Sequence, residues 1–125
     1  MGCCKEWVIS RTTGAYSLTG LSGNDTLKGN GNADTIIGGN GDDTIDGRGG
    51  NDIINGGAQN DAINGGDGDD NLTGGTGDDV FTVASGNDVI TDLATGDDVK
   101  VTDASAKATA NDVSNFAADS GTTNS

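Results

Sequence analysis

The chain of 125 residues contains no histidine, no proline and 3% aromatic residues, and sets 6 basic residues against 20 acidic ones. Without histidine it lacks the commonest general base and the commonest zinc ligand. Its two cysteines, Cys3 and Cys4, are adjacent, which excludes a disulfide framework and a spaced metal knuckle. No apolar run is long enough to span a bilayer as a helix. Trp7-Val8-Ile9 is too short for the apolar region of a secretory signal, so export by an N-terminal signal is not expected. The opening Met1-Gly2-Cys3-Cys4 looks like a doubly acylated terminus, but Glu6 stands where that pattern needs Ser or Thr. An incidental N-terminus is the expected reading. The formal net charge of -14 argues against nucleic acid and against an anionic membrane surface, and for a cationic partner.

What the chain has instead is glycine and aspartate. There are 23 Gly, and 19 of the 20 acids are Asp. High charge with few large apolar residues is close to the composition of a disordered chain, but the order of the residues is not random. From Gly20 to Lys100 the chain divides into nine blocks of nine with no insertion. The sixth position is always Asp: Asp25, Asp34, Asp43, Asp52, Asp61, Asp70, Asp79, Asp88 and Asp97. The eighth is always apolar: Leu27, Ile36, Ile45, Ile54, Ile63, Leu72, Phe81, Ile90 and Val99. Leu18 keeps that phase one step earlier.

Each block pairs a Gly/Asn/Asp-rich half with a three-residue stretch such as Thr44-Ile45-Asp46. Glycine adopts φ > 0 without steric cost, so the first half reads as a tight turn. Alternation in a strand then points the middle residue of the second half inward and its neighbours to solvent. Two blocks make one coil of about 18 residues, and coils stack as parallel sheets.

The blocks resemble the repeats-in-toxin (RTX), or hemolysin-type, calcium-binding repeat G-G-x-G-x-D-x-U-x. The blocks beginning at Gly38, Gly65 and Gly74 fit it at every fixed position. The resemblance implies an all-β fold, a right-handed parallel β-roll over residues 20–100. Residues 1–19 are then a cap or irregular segment, with Trp7, Ile9 or Leu18 covering the first coil, and 101–125 a flexible tail. It also implies several calcium ions, about six, each held between successive turns on one side of the roll. The metal-ligating residues it assigns are Asp25, Asp34, Asp43, Asp52, Asp61, Asp70, Asp79 and Asp88, paired 18 apart as Asp25 with Asp43 or Asp70 with Asp88. Proteins of this kind are exported by a type I route, so a secreted, extracellular module within a larger protein is the expected setting.

Two physical arguments support calcium beside the resemblance. One inward apolar side chain in nine is a thin core for so much chain to order. Stacking also lines like charges into columns that repel unless a cation intervenes. Calcium accepts six to eight oxygens in flexible geometry, whereas magnesium demands a near-ideal octahedron.

Departures from the pattern set further expectations. Leu21, Asn30 and Arg48 replace the second Gly; Asn32 and Gln59 replace the third. Because Asn tolerates φ > 0 better than Gln, the turn containing Gln59, which pairs Asp43 with Asp61, is the one expected to be weak. Weak sites are also expected where Val83-Ala84 and Asp92-Leu93-Ala94-Thr95 replace glycines.

Rival readings fit less well. An EF-hand starting at Asp42 would need Glu where Ile53 stands. Glycine-rich stretches such as Gly38-Gly39-Asn40-Gly41 lack the GK[ST] of a phosphate loop. With no His, and with the clustered Asp accounted for by the repeat, no enzyme is read. A metal-free solenoid for surface recognition or ice binding is the alternative. Ice binding would want a threonine array, and position seven runs Thr26, Thr35, Thr44, Ile53, Ala62, Asn71, Val80, Val89, Asp98.

Overall fold

Branched residues gather at positions seven to nine, where extended backbone suits them. The computed structural model of the chain describes residues 6–8, 14–102 and 107–110. Every regular element in them is a strand. One sheet stacks β1 (Glu6–Val8), β3 (Thr26–Lys28), β5 (Thr44–Asp46), β7 (Ala62–Asn64), β9 (Val80–Val83) and β11 (Asp98–Val101) in that order. The other stacks β2 (Ser17–Ser22), β4 (Thr35–Asn40), β6 (Ile53–Ala58), β8 (Asn71–Thr76), β10 (Asn87–Ile90) and β12 (Lys107–Ala110).

Between β2 and β11 the strands pair in parallel with a register of 18 residues, as in Ile36↔Ile54 and Ile45↔Ile63. The fold is a parallel β-roll, as the periodicity led one to expect. The position-eight residues from Leu27 to Val99 are 0–1% exposed and form the inner seam of the two sheets. Ile53, directly before Ile54, is 58% exposed, which fixes the register: a one-residue slip would exchange the two.

Two features differ from the expectation. Strands β3, β5 and β7 have three residues, whereas β2, β4, β6 and β8 have six and run on through the first two pattern positions. From β4 to β8 the coils of that sheet make the same bend, so Gly39, Gly57 and Gly75 stay in register and the ladder continues through it. Strand pairing also runs past both ends of the nonapeptide register, with β1 on β3 and β12 on β10. Of the capping residues, Leu18 is buried in β2 and Ile9 lies outside the described residues, as does most of 101–125. Near the C-terminal end Val83 and Leu93 occupy glycine positions of the pattern and turn inward, enlarging the core.

No helix among the described residues is long and apolar enough to cross a membrane. On the outer face of the longer-stranded sheet the position-seven row is Thr35, Ile53, Asn71, Val89. It is not a threonine array.

Candidate metal centre

The position-six aspartates lie where each turn hands over to the next strand, and the roll closes over them. Asp25, Asp34, Asp43, Asp52, Asp61, Asp70, Asp79 and Asp88 are all only 1–2% exposed. They form two columns, one along each edge of the roll. In each column a backbone N–H donates to Oδ1 of the aspartate one coil later. Asp25 donates to Asp43 at 2.8 Å, Asp43 to Asp61 at 2.8 Å and Asp61 to Asp79 at 2.9 Å. On the other edge Asp34 donates to Asp52 at 2.8 Å, Asp52 to Asp70 at 2.8 Å and Asp70 to Asp88 at 3.0 Å. The structure therefore brings the sequence-assigned residues together in the 18-residue pairs expected of them.

One oxygen of each carboxylate is thereby used. The other, Oδ2, is buried with no hydrogen-bond partner in Asp43, Asp52, Asp61, Asp70, Asp79 and Asp88. A buried, unpaired carboxylate oxygen is costly, and its repetition six times calls for a ligand. Burial is the first cause pushing these carboxyls up from the usual 3.8, and nearby aspartates add to it. Asp52 and Asp61 reach about 7, the latter raised further by Asp79 and Asp43. Asp88 also reaches about 7 and Asp79 about 6, while Asp43 and Asp70 are raised. The N–H donated to each of them offsets only part of the rise.

The first glycine of each turn belongs to this pocket. A Cβ on Gly56 would lie less than 3.0 Å from both Asp61 Oδ2 and the Gly74 carbonyl oxygen of the next coil. The same holds at Gly47 for Asp52 Oδ2 and Gly65 O. A carboxylate oxygen and a carbonyl oxygen thus converge on one point in these two turns. Among the described residues no three Asp, Glu, His or Cys side chains form a ready-made metal cluster. Any ion here would complete its shell from backbone carbonyls, which suits a hard cation with flexible coordination.

The glycines serve two purposes where the sequence suggested one. Positions two and four take φ > 0, for example Gly39 at 112° and Gly41 at 122°. Position one does not; from Gly20 to Gly74 it is glycine because a Cβ would collide with the position-six carboxylate, and only the last two turns carry Val83 and Asp92 there. The expectation that Gln would resist φ > 0 does not hold. Gln59 takes φ 84° in the manner of the glycines, and Leu21 and Arg48 do likewise at 86° and 81°. Three turns depart: neither Asn30 nor Asn32 has positive φ in Gly29–Asp34, Ala84 lacks it in Val83–Asp88, and Leu93 and Thr95 lack it in Asp92–Asp97.

A second ladder, one residue earlier, was not foreseen from the sequence. At position five the bonds run the other way, the later coil donating to the earlier side chain. Asp42 N–H donates to Asn24 Oδ1 at 2.9 Å, Asn60 to Asp42 at 3.0 Å and Asp78 to Asn60 at 3.0 Å. On the other edge Asp69 donates to Asn51 at 3.0 Å and Asn87 to Asp69 at 2.9 Å. Position five reads as variable in blocks of nine. Read every 18 residues it alternates, as Asn24, Asp42, Asn60, Asp78 on one edge and Asn51, Asp69, Asn87 on the other, a signal that was there to find.

Stacked turns with buried, cation-seeking carboxylates on an all-parallel roll define a calcium-binding β-roll. In agreement, the family described as "RTX calcium-binding nonapeptide repeat (4 copies)" matches residues 17–44, 28–63 and 55–90. The chain belongs to this family of calcium-binding repeat proteins. Neither the curated proteins nor the solved structures contain a significant match.

Proposed function

We propose that calcium binds between successive coils along both edges of the roll and that this binding drives the chain to fold. The single observation carrying this reading is the run of six buried Oδ2 atoms without partners. Asp43, Asp52, Asp61, Asp70, Asp79 and Asp88 would hold the ions through Oδ2, with Asp25 at the start of the first column and position-one carbonyls beside them. Calcium would supply the positive charge that lets neighbouring carboxylates stay ionised in a buried column. About six gaps of this kind, each taking a divalent ion, would offset most of the net charge of -14.

Sites of this type in extracellular modules work at about 0.1–1 mM calcium. A secreted or surface-displayed module, stabilising a larger protein or assisting its export, fits such a threshold. The chain is read as a structural calcium-binding element and not as an enzyme.

Far-ultraviolet circular dichroism with and without a chelator tests the reading. The chelated chain should lack β signal, and millimolar calcium should restore it cooperatively, because each ion bridges two coils and prepares the next gap. Equal β spectra in both conditions would favour the metal-free solenoid.

A further inference from the structure

The turn Gly29–Asp34 solves the same electrostatic problem without an ion. Asp34 is buried like the other position-six residues, and its Oδ1 accepts from Tyr16 N–H at 2.6 Å. Its Oδ2, however, accepts from the backbone N–H of Asn30 at 2.7 Å. Asn30 replaces the second glycine of the pattern and does not adopt the positive φ found at Gly39, Gly57, Gly66 and Gly75.

The changed turn is held in place from outside. Asn30 is 7% exposed, and its Nδ2 donates to the Gly14 carbonyl at 2.8 Å. Its Oδ1 accepts from Asn32 N–H at 2.7 Å, and Asn32 Nδ2 also reaches Gly14 O, at 3.2 Å. The clasp therefore uses both non-glycine residues of the block, each in a position where the pattern calls for glycine. The last turn also occupies both oxygens, with a donor one position later: Asp97 Oδ1 accepts from Asp79 N–H at 2.9 Å and Oδ2 from Ala94 N–H at 2.8 Å.

We infer that Asn30 closes the Gly29–Asp34 turn against calcium, its N–H occupying the carboxylate oxygen that a cation takes in the other turns. The inference rests on the calcium reading above and refines it. The gap between Asp34 and Asp52 then stays without an ion, and that turn forms without waiting for calcium. A carboxylate oxygen already bonded to a fixed N–H gains less from a metal and must give up that bond to receive one. Asn30 is thus a specificity-determining residue that sets how many ions the roll takes.

The test is calcium stoichiometry by isothermal titration, with circular dichroism reporting folding on the same samples. Asn30→Gly, and the double change Asn30→Gly with Asn32→Gly, restore the pattern glycines. Each should bind one more ion per chain than the wild type while reaching the same β signal. Asp34→Asn should leave the wild-type count unchanged, whereas Asp70→Asn should lower it, and this pair decides the matter even if the glycine variants fold poorly. Wild-type uptake of calcium with no gain in either glycine variant, or a lower count in Asp34→Asn, would overturn this inference alone. A wild-type chain that takes up no calcium would overturn the parent reading along with it.

Discussion

Two ladders of side chains climb each edge of the roll, one residue apart, and their compositions differ. Both accept a backbone N–H through a side-chain oxygen across one coil, at 2.8–3.0 Å within the inner columns and 2.9–3.0 Å in the outer ones. The outer ladder, exposed at position five, uses Asn and Asp in alternation, so no two charges adjoin along a column. The inner ladder, buried at position six, uses Asp alone. If accepting a hydrogen bond were the whole task, Asn would serve inside as well as outside, and the neutral amide would avoid stacking buried charges. Insistence on Asp where charge costs most is therefore the mark of a cation, not of a turn.

The sharpest way to break the contrast between inside and outside lies in the strand that follows. Ile54 is fully buried and Ile53, equally apolar, is 58% exposed. Ile54→Asp would place a charge in a core with no cation beside it, at a cost of several kcal/mol. It should abolish calcium-induced β structure, while Ile53→Asp should keep it. Equal loss in both would mean that the strands are not ordered as described.

Next in size is a pair within the ladders. Asp61→Asn keeps an acceptor for Asp43 N–H but removes the charge behind the unpartnered oxygen. It should raise the calcium midpoint about tenfold or more, about 1.4 kcal/mol. Asp42→Asn, in the outer ladder, should move it by less than about twofold. Similar shifts for the two would reduce the effect to bulk charge.

Acid offers a third comparison. Inner carboxyls raised to about 7 in Asp52, Asp61 and Asp88 hold protons in the roll that the unfolded chain, near 3.8, has released. The calcium-free roll is therefore favoured below about pH 4 and loses that advantage as pH rises towards about 7. Chelated protein should gain β signal on acidification from pH 7.5 to about 4.5, with protons standing in for the ions. More order at the higher pH would contradict the sign.

The smallest effect belongs to the outer ladder. Asn60→Asp sets three carboxylates in a row with Asp42 and Asp78. Like charges so placed should destabilise by about 0.2–1 kcal/mol, seen as a small rise in the calcium midpoint that salt reduces.

A period of nine with Asp at six and an apolar residue at eight made the stacking, the inner seam and the two columns legible, because each requires one residue type at one place. Less legible was whatever depends on the stack and not on the block. Successive blocks look alike in sequence, yet β4, β6 and β8 are twice as long as β5 and β7, since only the sheet decides whether a glycine pair stays bonded. Intrinsic preference also misled. Gln59, the poorer candidate, is held at φ 84° with its N–H bonded to Thr76 O, whereas Asn32 is drawn aside by its own side chain towards Asn30 and Gly14. Burial of Asp34 was foreseeable, but its N–H partner was not, because nothing in the spacing says which way the Asn30 amide turns.

Anomalous diffraction from crystals of the calcium-loaded chain tests the central claim most directly, since it locates the ions without reference to any mutant. The account expects calcium peaks in two rows along the edges of the roll, each beside a position-six Oδ2 such as those of Asp43, Asp61 and Asp70. Calcium found only at the exposed position-five carboxylates Asp42, Asp69 and Asp78, with the inner oxygens still without a partner, would contradict it.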